Sequence, residues 1–170
     1  MDDVLFSAGG STEWETPQDF FTILNRVYKF DIDVCATREN TKCKRYFTPE
    51  VDGLAQNWTG TVWCNPPYGR DVVKWVQKAH ESHKQGATVV MLLPSRTDTQ
   101  WIHQYVFGSA QVIFLKGRLK FEEGGSSAPF PSILAVWGGQ EKQCNILAKY
   151  LAAYTVKPVR LGRPYAKRAA

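Results

Sequence analysis

Asn65-Pro66-Pro67-Tyr68 closes a short apolar run, Thr61-Val62-Trp63-Cys64, and its residue types suit one demanding task. They can hold a planar exocyclic amine while its nitrogen becomes a nucleophile. The lone pair of such an amine is delocalised into its ring. Attack therefore needs acceptors on both N–H groups, so that the nitrogen can move toward tetrahedral geometry. The Asn65 side-chain carbonyl is one acceptor, and the Pro66 backbone carbonyl is the second. Pro66 and Pro67 have fixed φ and no N–H, which stiffens the turn and aims its carbonyls. Tyr68 then offers an aromatic face on which a flat base can stack. The plainer reading is a Pro-Pro turn with an incidental tyrosine. Four specified positions at a strand-to-loop junction weigh against it.

The elements that must position this tetrapeptide follow from periodicity. Thr16-Pro17-Gln18-Asp19 predicts a helix start, with Thr16 as N-cap, Pro17 in the first helical position and Asp19 in the first turn. Phe20, Phe21, Leu24, Val27 and Tyr28 then form one apolar face. Phe30–Cys35 alternates as a short strand, and Thr61–Cys64 is a second. Asp71–Lys84 reads as a helix closed by Gly86. The continuous apolar run over 87–93 predicts a central strand buried on both faces. A helix over Asp98–Phe107, strands over Gln111–Leu115 and Ser132–Trp137, and a helix over Glu141–Tyr154 complete the pattern. Strands alternating with helices imply an α/β fold: a three-layer, largely parallel sheet that binds ligands beyond the carboxyl ends of its strands. Asn65–Tyr68 and Pro94–Thr99 both stand at such ends.

At 170 residues the chain is most simply one domain, expected over 13–154 between a flexible lead at 1–12 and a basic tail at 155–170. Its apolar runs are far shorter than a membrane span requires, and Met1-Asp2-Asp3 lacks the features of a signal peptide, so cytoplasmic residence is the default expectation. Cys35, Cys43, Cys64 and Cys144 show no C-x-x-C spacing, and His80, His83 and His103 show no ligand spacing. Neither a zinc site nor a disulfide framework is expected. Of the net +5 charge, residues 141–170 contribute +6 and the first 140 residues −1. A basic tail on a near-neutral body suggests a polyanion partner, most simply nucleic acid phosphate, with a solvated tail as the bland alternative.

Several further segments fall in order around the tetrapeptide: Asp33-Val34-Cys35-Ala36, Asp52-Gly53-Leu54, Leu93-Pro94-Ser95-Arg96-Thr97-Asp98-Thr99, Gly117-Arg118-Leu119-Lys120-Phe121 and Ala128-Pro129-Phe130-Pro131-Ser132. Together they resemble the phage-type Dam family of DNA N-6-adenine methyltransferases, from about Trp14 to Trp137. The resemblance implies a Rossmann-like methyltransferase fold, S-adenosylmethionine as methyl donor, double-stranded DNA as partner and a phage or prophage source. Protection of phage DNA from restriction is one role compatible with it. Thr16 and Pro17 match the segment lying against the methionine part of the cofactor. Asp33, Cys35 and Ala36 match the first cofactor motif, with small Ala36 standing where wider methyltransferases have glycine. Asp33 then pairs with the cofactor's ammonium or ribose. Asp52, with Leu54 beside it, matches the acid that accepts from the cofactor's adenine, and an Asp-Gly turn is the simpler reading of that pair. Only 29 residues, Ala36 through Cys64, separate the first strand from the tetrapeptide, too few for the usual two strands and a helix. The sheet is expected to be reduced there, and Glu39 or Asn40 is left to hold the ribose.

The mechanism implied is base flipping, at roughly a few kcal/mol, into a pocket over Tyr68. The adenine N6 bonds Asn65 and the Pro66 carbonyl, with no metal expected in the reaction. Phe130, held between prolines, either closes over the base or packs in the core. Arg96, Arg118 and Lys120, with Lys116 and the tail, are candidates for the DNA path, and ordinary surface charge is the alternative for each. Three other readings stay open on residues alone. They are methylation of a protein glutamine amide, methylation of RNA adenine, and a non-catalytic DNA-binding module on the same fold.

Overall fold

The computed structural model describes residues 14–121, 127–151 and 154–156. The expected lead at 1–12, and the tail beyond Val156, lie outside the described residues. Helix α1 spans Gln18–Tyr28, strand β1 Ile32–Asp33, β2 Thr61–Cys64, helix α2 Val72–Lys84 and β3 Thr88–Pro94. A π-helix covers Ile102–Val106, followed by β4 Gln111–Phe114, β5 Ser132–Trp137, α3 Glu141–Tyr150 and β6 Tyr154–Val156. The six strands form one sheet in the order β1-β2-β3-β5-β4-β6.

Two apolar clusters lie on opposite faces of this sheet, which gives the expected three layers. Strand residues alternate between them, as the pleat requires. Val62, Val89, Met91, Ile133 and Ala135 pack with Val72, Val76 and Ala79 of α2 and with Ile102 and Val106 of the π-helix. Trp63, Val90, Leu92, Leu134 and Val136 pack with Phe20, Phe21, Leu24 and Tyr28 of α1 and with Cys144 and Leu147 of α3. Burying each large side chain contributes about 1.5–3 kcal/mol, so the apolar stripes of α1 and α2 fix which helix covers which face.

Parallel pairing is confined to β1-β2 and β2-β3, while β5 runs antiparallel to β3 and β4, and β6 antiparallel to β4. The sheet is therefore mixed. A strand buried on both faces has the same composition in either direction, so the apolar runs carried no sign of the reversal. Following the pairings, the carboxyl ends of β2, β3 and β4 and the amino end of β5 share one edge, which gathers the loops after Cys64, Pro94 and Phe114 and the segment entering Ser132.

The segment after β1 is reduced, as expected. In place of two strands and a helix, it sends Arg45–Phe47 back alongside β1. Asp33 N donates to Arg45 O at 3.0 Å, Phe47 N to Asp33 O at 2.9 Å, and Ala36 N to Phe47 O at 3.1 Å, with a parallel bridge at Asp33–Tyr46. These bonds extend a two-residue strand into a scaffold stiff enough to hold a loop.

Several boundaries differ from the sequence reading, among them β1, which is confined to Ile32–Asp33 within the expected Phe30–Cys35. Helix α1 begins at Gln18 with Pro17 at its N-cap, so Thr16 does not cap it. The stretch expected as an α-helix over Asp98–Phe107 widens into the π-helix, whose Tyr105 carbonyl accepts from the Trp137 indole at 3.1 Å. Helix α3 stops at Tyr150 rather than Tyr154, because Tyr154–Val156 pairs with β4 as the edge strand.

Candidate active site

A cavity of about 490 Å³ opens at the carboxyl ends of β1 and β2, a volume in the range of small-molecule and cofactor sites. It draws on residues 14–16, the loop from Asp33 to Gly53, Trp63 and Asn65–Pro67 in and after β2, and Trp75 of α2. Thr16, Asp33, Cys35, Ala36, Asp52 and Asn65 all line it. Asn40, one of the two residues considered for the ribose, lines it too, whereas Glu39 does not. Pro17 and Leu54 stand beside the cavity, not among its lining residues. Pro17 is the N-cap of α1, and the Leu54 N–H donates to Asp52 Oδ1 at 3.1 Å.

Asp33 is 2% exposed at the end of β1. Cys35 N donates to its Oδ1 at 3.3 Å and Lys42 N to its Oδ2 at 3.1 Å. Burial nevertheless outweighs these bonds and the nearby Lys42 charge, raising its pKa to about 6. A carboxylate held at this cost is poised to receive a cation. Asp52 adopts φ 55, in the left-handed region that non-glycine residues seldom occupy. Its neighbour Gly53 cannot carry a side chain, since a Cβ there would lie 2.1 Å from the Val34 carbonyl and 3.3 Å from Trp75. The Asp-Gly pair thus lets the loop press against the chain leaving β1 while Asp52 lines the cavity.

Asn65 is held by three neighbours. Its Nδ2 donates to the Trp14 carbonyl and, at 3.0 Å, to Thr16 Oγ1. A carbonyl only accepts, so the contact with Trp14 fixes which end of the amide is nitrogen. Its Oδ1 accepts from the Tyr68 hydroxyl at 2.9 Å, and the same hydroxyl lies 3.2 Å from the Leu92 carbonyl. Thr16 contributes an acceptor here because its hydroxyl is not spent on capping α1. Burial drives the Tyr68 pKa well above the ordinary phenol value, so this hydroxyl remains a donor.

Tyr68 does not present the open face expected of it. Its ring is 1% exposed, packed edge-on against Phe130 at 5.4 Å and Phe121 at 6.3 Å. Trp14 closes the cluster, 5.3 Å from Phe121 and 5.4 Å from Phe130. Of the two places considered for Phe130, it occupies the core, at 7% exposure. The physical reason is apolar closure: these rings bury more surface against one another than in water. Trp14 belongs both to this cluster and to the cavity wall, and Asn65 stands between them.

Arg96, Lys116, Arg118 and Lys120 all fall in loops on this same edge of the sheet, after β3 and after β4. Lys116, Arg118 and Lys120 are exposed, and Arg96 is half-buried. Sequence reasoning passed over Trp14, Glu15, Lys42, Phe47 and Trp75, all of which line the cavity. They are scattered along the sequence, with Trp75 on α2 and the others in irregular segments, and share no contiguous signal.

Residues 9–150 match the model of a family described as DNA N-6-adenine-methyltransferase (Dam). A DNA N-6-adenine-methyltransferase of Haemophilus phage HP1 is 33% identical over 153 residues, covering 85% of this chain and 88% of that protein. A DNA N-6-adenine-methyltransferase of Escherichia phage T1 is 30% identical over 130 residues, covering 75% of this chain. The matched region is 54% of the phage T1 protein's own length. The matched segments run through the cavity, the Asn65–Tyr68 turn and the sheet beneath them, and the chain belongs to the DNA N-6-adenine-methyltransferase (Dam) family.

Proposed function

We propose that this protein transfers a methyl group from S-adenosylmethionine to N6 of adenine in double-stranded DNA, with the base flipped toward Asn65-Pro66-Pro67-Tyr68. The observation that carries the reading is the fixed Asn65 amide between a cofactor-sized cavity and an aromatic cluster. S-adenosylmethionine, when bound, supplies an electrophilic methyl on a sulfonium. The residues present fit it: apolar walls from Trp63, Phe47 and Trp75, a buried acid at Asp33, and a second acid at Asp52.

The chain's own contribution is position and oriented acceptors. Trp14 and Thr16 hold the Asn65 nitrogen, so Oδ1 turns toward the aromatic cluster. The second lone pair of Oδ1 remains for one N6 hydrogen while Tyr68 uses the first. The Pro66 carbonyl takes the other hydrogen. As N6 takes up the methyl, Asn65 Oδ1 and the Pro66 carbonyl would hold its two hydrogens, and one of these protons would leave for solvent. A base reaches Tyr68 only if Phe121 and Phe130 part from it, so base entry includes opening this cluster. Asp33 holds the cofactor's ammonium and Asp52 its adenine amino group. Arg96, Arg118 and Lys120 track the DNA backbone on the same edge.

The test is transfer of labelled methyl groups to unmethylated duplex DNA, followed by nucleoside analysis. N6-methyladenine is expected. Transfer only to RNA adenine or to a glutamine-containing protein, with none to DNA, would refute the substrate. Cofactor binding without transfer to any of them would favour the non-catalytic module.

A further inference from the structure

The cavity carries one cation whose role the transfer chemistry leaves unused. Among its described lining residues, Glu15, Asp33 and Asp52 are carboxylates and Lys42 alone is basic. The Lys42 side chain is only 8% exposed, and lysine is rarely buried to this degree unless its charge is matched. Its Nζ lies 2.9 Å from Glu15 Oε1, but Glu15 is 54% exposed. An ion pair with so solvated a partner contributes little by itself, and the other carboxylate near Lys42 is Asp33, whose oxygens already accept from the Cys35 and Lys42 backbone N–H groups.

The lysine is also fixed at both ends. Its backbone N–H is bonded to Asp33, and its head group reaches across to the 14–16 segment. An ammonium has three donors, and one of them is directed at Glu15. A ligand carrying an anion beside a cation would therefore meet Lys42 and Asp33 as adjacent, opposite partners. S-adenosylmethionine has two cations, the sulfonium and the ammonium, and a single anion, its carboxylate.

We propose that Lys42 recognises the amino-acid carboxylate of the cofactor and sets the protein's preference for S-adenosylmethionine over analogues lacking that group. The assignment rests on the reading that this cavity takes S-adenosylmethionine. It makes Lys42 a specificity residue, with no part in moving the methyl group.

Calorimetric titration of the full chain with S-adenosylmethionine and with its decarboxylated analogue separates the possibilities. The analogue keeps the sulfonium and the ammonium. Wild-type protein binds S-adenosylmethionine about 10- to 100-fold more tightly than the analogue, as expected for losing a charged hydrogen-bonding partner. Lys42→Met lowers affinity for S-adenosylmethionine by the same factor and changes affinity for the analogue less than about twofold. Lys42→Arg retains the preference, because the charge and donors survive. Equal affinity of the wild type for both ligands overturns the proposal even if Lys42→Met does not fold. So does an equal loss for both ligands in Lys42→Met, which would make the lysine a structural strap to Glu15. Wild-type protein that binds neither ligand overturns the cofactor reading together with this one.

Discussion

Asp33 allows a prediction with two opposite signs. Its pKa is about 6 in the folded chain against an ordinary 3.8. A folded pKa above the unfolded value means that this residue's contribution to stability is fully present below pH 3.8 and is lost as pH rises through about 6. Between pH 5 and pH 7 the ligand-free protein should therefore lose roughly 1 kcal/mol from this group. Cofactor binding should do the reverse. The cofactor's ammonium favours ionised Asp33, and at pH 5 only about one-tenth of the ligand-free molecules have it ionised. Affinity at pH 5 should be about tenfold weaker than at pH 7, with binding releasing a proton in the lower range. The assay is calorimetric titration with S-adenosylmethionine from pH 5 to 7, paired with urea unfolding of the ligand-free protein over the same range. Asp33→Asn should bind weakly at every pH and flatten both profiles. A flat affinity profile in the wild type, or tighter binding at pH 5, would refute the pairing of the ammonium with Asp33.

Other residues give narrower tests. Tyr68→Phe removes one hydroxyl shared between Asn65 Oδ1 and the Leu92 carbonyl while keeping the packed ring; it should cost about 0.5–1.5 kcal/mol in urea unfolding and lower kcat, with cofactor affinity unchanged. Asp52→Asn keeps a side chain tolerated at φ 55 and removes only the charge, so cofactor affinity should fall about tenfold in titration without loss of stability. DNA affinity should drop steeply with salt, and deleting residues 157–170, which spares β6, should make the log–log slope shallower by several units. An unchanged slope would remove those residues from the DNA path.

Much of the layer structure was legible because burial leaves a period in the sequence. Phe20, Phe21 and Leu24 marked the inner face of α1, and 87–93 read as a central strand from its unbroken apolar run, one residue off the observed Thr88–Pro94. Strand direction left no such trace, and neither did the widening of the helix at Ile102–Val106. Of the site, Asn65–Tyr68 was legible because its chemistry is contiguous. Thr16, Asp33, Cys35, Ala36 and Asp52 entered through the resemblance, and all five line the cavity. What stayed hidden depends on pairs distant in sequence. Lys42 meets Glu15 across 27 positions, and Asn65 meets Thr16 across 49. The burial of Tyr68 follows from Phe121 and Phe130, and nothing in an Asn-Pro-Pro-Tyr turn shows which rings will cover it.

The central claim is that Asn65 is the oriented acceptor for the adenine amine. Single-turnover methyl transfer to unmethylated duplex DNA, by wild type and by Asn65→Ala at saturating S-adenosylmethionine, tests it most directly. Cofactor affinity is measured on the same preparations. The account predicts N6-methyladenine from the wild type and a loss of about 100-fold or more in the variant, as for removal of an oriented transition-state partner, with cofactor affinity within a few-fold. A variant that binds cofactor normally and transfers at a near-normal rate would contradict it.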